Sequence, residues 1–177
     1  CEMLSKAMEK TPPEYGALYL LQDMKEFELY GTVQAIYSSF DCLNYIVKNK
    51  DLKQVFVLAR NYLEAGGLFI FDVNTRKRYT DVFDGNSFVY DFEDGIFAVW
   101  RNAFDEKKDI CEFAIDVFFE GEDGLYERAC ETQIQKYHSE EEIISCAEGF
   151  ALVSRTGGKG FDGCNENEKV YYVFKKL

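Results

Sequence analysis

Three short stretches close apolar runs with carboxylate, amide or hydroxyl side chains: Gln22-Asp23-Met24, Ser38-Ser39-Phe40-Asp41 and Asp72-Val73-Asn74. Such groups accept hydrogen bonds from an adenine-type amine or a ribose hydroxyl. In open α/β sheets, ligands bind beyond the carboxyl ends of the parallel strands. The same residue types also start turns and cap helices, so both readings stand on chemistry alone. Other chemistries are poorly represented. There is no G-x-x-x-x-G-K-[ST] phosphate loop and no G-x-S-x-G nucleophile elbow. Gly157-Gly158-Lys159-Gly160 leads into a strand pattern and reads as a hairpin connection. His138 is the sole histidine, beside a capping motif, and reads as a surface residue. The cysteines at 1, 42, 111, 130, 146 and 164 include no C-x-x-C pair. Most read as small buried hydrophobes in a reducing cytoplasm, without metal or disulfides. Arg76-Lys77-Arg78 is the only tight basic run and reads as a solvated loop.

The elements that must position these groups follow from periodicity. Residues 2–9 read as a helix, ended by Thr11-Pro12-Pro13. Ala17–Leu21 reads as a strand buried on both faces, and Val33–Ser38 as a second strand. Leu52, Val55, Phe56, Ala59, Tyr62 and Leu63 recur at helical spacing, with Asp51 as cap and Gly66-Gly67 as stop. Leu68–Asp72 is then a strand. Residues 87–138 change texture to an antiparallel meander, with Cys111, Phe113, Ile115, Val117 and Phe119 on one buried face and hairpin turns at 105–109 and 121–124. Ser139-Glu140-Glu141-Glu142 is a capping box. The helix it opens closes near Gly149, and strands follow at Phe150–Ser154 and Val170–Phe174. The division expected is an α/β core over 1–75, an antiparallel insert over 76–138, and the remainder of the core over 139–177.

The chain has 177 residues, of which 47% are hydrophobic and 16% aromatic, enough for a sizeable core and too aromatic for disorder. Its net charge of -12 disfavours nucleic acid and anionic membrane surfaces. No apolar run approaches the roughly 20 residues that span a bilayer, and the first ten residues are too polar for a signal peptide.

In order along the chain, several strings resemble class I S-adenosylmethionine-dependent methyltransferases. EMLSKA (Glu2–Ala7) resembles the segment after their second strand, and LLQDMKEF (Leu20–Phe27) their adenine-side motif. IYSSFDCLNYI (Ile36–Ile46) resembles their fourth strand and the turn after it. LEAGGLFIFDVNT (Leu63–Thr75) resembles their helix end and fifth strand, and YHSEEEI with AEGFALV their last helix and sixth strand. The meander resembles that of small-molecule members, including amino-sugar N-methyltransferases.

The resemblance implies a Rossmann-like α/β sheet with an inserted antiparallel meander, and S-adenosylmethionine as cofactor. Asp23 would accept from the adenine amine and Met24 would pack on the ring. Ser38, Ser39 and Phe40 would line the methionine side. Asp41, Asn44 and Tyr45 would face a small-molecule acceptor, with Asp72, Asn74, Trp100 and Gln133 as further acceptor-side residues and Tyr90 as another wall. Relatives place a histidine where this chain has Gln133. The family's first strand, glycine-rich cofactor loop and second strand have no counterpart here. The expectations are therefore a fragment that binds the cofactor weakly alone, and a Val33–Ser38 edge that seeks a strand partner, including a second copy. The alternative is a non-catalytic binding protein retaining part of the fold.

Overall fold

The computed structural model describes residues 2–92, 95–158, 165 and 167–177. The main sheet contains β1 (Val33–Ser38), β2 (Leu63–Asn74), β7 (Phe150–Gly157) and β8 (Lys169–Lys176), in the order β1-β2-β8-β7. β1 and β2 are parallel, joined through α2 (Asn49–Tyr62), whereas β8 is antiparallel to both β2 and β7. β2 is thus the hinge between a parallel half and an antiparallel half. α2 buries Leu52, Val55, Phe56 and Ala59, one face at helical spacing. The Phe56 ring meets Phe69, Phe71 and Phe174 edge-on, at centroid separations of 5.3, 5.7 and 5.9 Å. Such contacts add to the apolar area already removed from water.

The second sheet is the expected meander, with β3 (Ser87–Phe92), β4 (Ile96–Asp105), β5 (Ile110–Glu120) and β6 (Tyr126–Lys136) in chain order. A π-helical turn at Arg78–Phe83 leads into it and buries Tyr79 and Phe83. These two rings, with Phe104, Cys111 and Phe113, form a second core. α3 (Glu140–Cys146) returns the chain to the first sheet. Its capping box is complete: the Glu142 amide donates to Ser139 Oγ, and the Ser139 amide to the Glu142 carboxylate. The first helix, α1, spans Glu2–Lys10 and buries nothing. No helix among the described residues is long and apolar enough to cross a membrane.

Several expectations are corrected. Ala17–Leu21 is not a strand, and Leu18 and Leu21 are 71% exposed. An apolar run becomes a strand only with a pairing partner, and among the described residues β1 pairs on one side alone, with β2. α2 stops at Tyr62 rather than at the glycines. Leu63 begins β2 directly, and Gly66 (φ +77°) sits where the register against β1 shifts, a bulge rather than a helix stop. Asp51 lies in the first turn of α2, whose cap position is Lys48. The buried face of β5 holds at Cys111 and Phe113 but opens at Phe119, which is 44% exposed. His138 is buried, not a surface residue. Cys42, Cys111, Cys130 and Cys146 are free, while Cys1, Cys164 and Lys159-Gly160 lie outside the described residues.

Candidate active site

β1 ends at Ser38, and the chain then turns through two successive left-handed residues, Phe40 (φ 58°) and Asp41 (φ 49°). Non-glycine residues in this region carry strain that the surroundings must offset. Here the surroundings are electrostatic. The Asp41 amide donates to Asp72 Oδ2 at 3.0 Å. Lys169 Nζ, buried at the start of β8, lies 2.9 Å from Asp72 Oδ2 and 3.1 Å from Asp41 Oδ1. Gln135 Nε2 donates to the other Asp41 oxygen at 2.6 Å. The carbonyl of Gln135 is itself fixed, accepting from Tyr79 Oη at 2.9 Å and Asn74 Nδ2 at 3.2 Å. Burial penalises charge on Lys169, but hydrogen bonds and attraction from Asp72 and Asp41 outweigh it and raise its pKa. Burial first, with the nearby Asp41 charge adding to it, pushes the Tyr79 phenol well above its ordinary value. Lys169 is therefore a fixed cation between two carboxylates.

The short 3-10 turn Cys42–Tyr45 follows. Asn44 is fully buried: its amide nitrogen donates to the Lys136 carbonyl at 2.8 Å, and its oxygen accepts the Asn74 amide at 3.0 Å. It therefore ties the β1 turn to both β2 and β6. His138 Nε2 lies 3.2 Å from the Leu43 carbonyl and braces the same turn. Burial, then the nearby Lys136, lowers the His138 pKa, so the ring stays neutral. Tyr45 Oη donates to Gln133 Oε1 at 2.9 Å, and burial pushes that phenol up.

Above this turn lies a cavity of about 430 Å³. Asp41, Tyr45 and Gln135 form its polar end, while Phe40, Phe83, Phe88, Tyr90, Trp100 and Phe113 form aromatic walls. Arg78 and Glu168 also line it, the Arg78 guanidinium resting 5.1 Å from the Phe83 ring centroid. A second, more open depression of about 490 Å³ is lined by Gln22, Asp23, Met24 and Lys48, and by Tyr45 again. Tyr45 therefore borders both spaces. Asp23 accepts the Lys25 amide at 2.9 Å and pairs with its ammonium at 3.2 Å, while Met24 packs against the main core. Backbone hydrogen bonding from Lys25 lowers the Asp23 pKa.

Of the residues singled out from sequence, Asp41, Tyr45, Phe40, Tyr90 and Trp100 line the cavity, and Asp23 and Met24 meet at the depression. Ser39 and Asp72 border a small recess beneath Phe40, and Ser38 pairs with Phe71 in the sheet. Asn44 and Asn74 are buried supports rather than lining residues. Gln133 is brought to Tyr45 by β6. Missed altogether were Lys169, Gln135 and Tyr79. A lysine opening the apolar run Lys169–Phe174 is ordinarily exposed, and nothing local marks it as buried. Gln135 carries one signal, its even spacing from Gln133 and Glu131 on one face of β6. Within Arg76–Arg78, expected to be solvated, Arg76 pairs with Asp109 and lies 5.8 Å from the Phe104 and Tyr137 ring centroids, and Arg78 reaches the cavity.

Comparison with known proteins bears on what these spaces hold. No family model matches the sequence. The Bacillus subtilis (strain 168) protein named "Putative methyltransferase YqeM" is 30% identical over 144 residues, 80% of this chain. The match spans 57% of the length of that relative. An S-adenosylmethionine-dependent methyltransferase from Clostridium acetobutylicum ATCC 824 superposes with a TM-score of 0.80 at 28% identity, covering 99% of this chain and 71% of that one. CalS10, an amino pentose methyltransferase from Micromonospora echinaspora, shares the fold at a TM-score of 0.69 and 16% identity, over 88% of this chain and 63% of its own. In sequence and in fold alike, the chain resembles the class I S-adenosylmethionine-dependent methyltransferases.

Proposed function

We propose that the protein transfers a methyl group from S-adenosylmethionine to a small-molecule amine or hydroxyl held in the aromatic-walled cavity. The observation that carries this is Tyr45, which borders both the cavity and the depression containing Asp23 and Met24. Two binding spaces that meet at one side chain suit a donor and an acceptor that must approach in line. The described residues fit the cofactor on its adenine flank. The Asp23 carboxylate is open to the depression and can accept from an amine, and Met24 backs it with an apolar surface.

When bound, S-adenosylmethionine supplies an electrophilic methyl group on a sulfonium. The chain's own contribution is position. Asp41 and Tyr45 orient the acceptor head, Phe40 lines its cavity, and Ser38 and Ser39 carry the chain from β1 into that turn. The aromatic walls exclude water, so the gain comes mainly from placement in a dry pocket. No histidine lies among the described lining residues, which favours an amine arriving neutral over a hydroxyl that must lose its proton to a base. Asn44 and Lys169 act as positioning residues, through Asn74 and Asp41.

Methyl-label transfer by the intact gene product across a panel of amines and alcohols tests this reading. Transfer is expected to an amine and to fall in Tyr45→Phe. Absence of transfer to every acceptor, together with no calorimetric binding of S-adenosylhomocysteine, would overturn it. The side of β1 that has no partner strand among the described residues also supports self-association through the sheet edge. A monomer by light scattering at all accessible concentrations would remove that part.

A further inference from the structure

The face of the meander that walls the cavity continues well beyond it. Strand register sorts this face into rows. Phe88, Trp100, Ile115 and Glu131 pair across one row, beside the cavity. Two residues further out, Tyr90, Ala98, Val117 and Ala129 form the next. Phe92, Ile96, Phe119 and Glu127 form the last. Side chains two apart on a strand share a face, and the strand rise carries the last row about 13 Å past Trp100. Tyr90 and Phe92 stack at 6.0 Å and 17°, so the cavity wall and the outer strip are one surface. Yet Tyr90, Phe92 and Phe119 are 42, 51 and 44% exposed. Among the described residues of this face no lysine or arginine occurs, and its charged members, Glu127 and Glu131, are acidic.

We infer that the acceptor is an amphiphile: a hydrogen-bond-donating head, such as an amine, at Asp41, Tyr45 and Gln135, and an unbranched or flat apolar body along the Tyr90–Phe92 strip. This rests on the reading that the cavity takes the methyl acceptor. An acceptor carrying phosphate groups would meet two glutamates and apolar side chains along this face. An apolar body instead covers side chains that otherwise stand in water. Continuity with the cavity, and a polar cluster at one end only, fix the direction in which such a molecule lies.

Trp100 is the sole tryptophan and lines the cavity, so its fluorescence reports occupancy without cofactor or turnover. The chain is titrated with butylamine, with decylamine below its micelle concentration, and with glucosamine 6-phosphate. Decylamine is expected to saturate the signal roughly tenfold or more tighter than butylamine, and glucosamine 6-phosphate to give no saturable change. Phe92→Ser, at an exposed position, is expected to weaken decylamine while leaving butylamine unchanged. Equal affinity for the two amines, tighter binding of glucosamine 6-phosphate, or decylamine binding indifferent to Phe92→Ser would each overturn the inference. Failure of methyl transfer, by contrast, would remove the enzymatic reading without altering these binding results.

Discussion

Two three-membered ion clusters stand in this molecule, one centred on a carboxylate and one on an ammonium, and they do opposite work. On the outer face of the meander, Asp116 is gripped by Arg101 at 2.5 Å and by Arg128 at 2.6 Å. Both arginines are more than half exposed, at 55 and 56%. Beneath the cavity, Lys169 bridges Asp41 and Asp72, with Lys169 and Asp72 each only 2% exposed. The outer cluster has the shorter contacts, and its Asp116 carboxylate is only 8% exposed, yet water screens both arginines and either one remains when the other is lost, so its geometry says little about its energy. The inner cluster has ordinary distances, but Lys169 and Asp72 are closed off from solvent and only Asp41, at 18% exposed, reaches the cavity. Short contacts are therefore a poor guide to importance here. What matters is what is left behind when one partner is removed.

The largest effect should come from Lys169→Met. It strands two carboxylates beside each other, and urea unfolding should show a loss of roughly 3–5 kcal/mol. A loss no greater than that of an outer-cluster variant would erase the distinction between the two. Tyr79→Phe comes next. It removes one of the two donors to the Gln135 carbonyl without changing ring volume, with an expected cost of about 1–2 kcal/mol.

Acid sharpens the comparison in another way, because His138 is buried beside the inner turn and carries no strong ion pair. Its folded pKa is lowered while the unfolded chain keeps about 6.5. The unfolded state therefore binds more protons below that value, and stability falls as pH drops from about 6.5. The slope contributed is no more than about 1.4 kcal/mol per pH unit. His138→Gln should flatten the melting temperature between pH 7 and 5.5. An unchanged slope would show that burial of the ring is not its source. The smallest effect is expected for Arg101→Ala, a slight drop in melting temperature that added salt erases. A salt-resistant loss comparable to that of Lys169→Met would invert the comparison.

The legibility of the two regions differs for the same physical reason. β1 could be read to the residue, because Val33–Ser38 is a local pattern closed by a local turn. The capping box of α3 was equally plain, since all its partners lie within four residues. Asp41 and Tyr45 were reachable because they follow a strand end. Lys169 was not, because its partners lie 128 and 97 residues away and its own neighbourhood looks like an ordinary strand start. Gln135 likewise acquires meaning only when β6 is folded over the β1 turn. Ala17–Leu21 failed in the other direction. Its local pattern asked for a strand, but strand formation depends on a neighbour that only the tertiary fold supplies.

The uncharged sequence of β1 has a consequence for handling the protein. Val33-Gln34-Ala35-Ile36-Tyr37-Ser38 contains no lysine, no proline and no acid, the devices that ordinarily keep an edge from recruiting strangers. Among the described residues it is hydrogen-bonded on one side only. During refolding at high concentration, that ribbon competes with its own fold for any extended segment that passes. Yield should then depend on dilution more than on temperature, and a single lysine at outward-facing Gln34 or Ala35 would act as a gatekeeper.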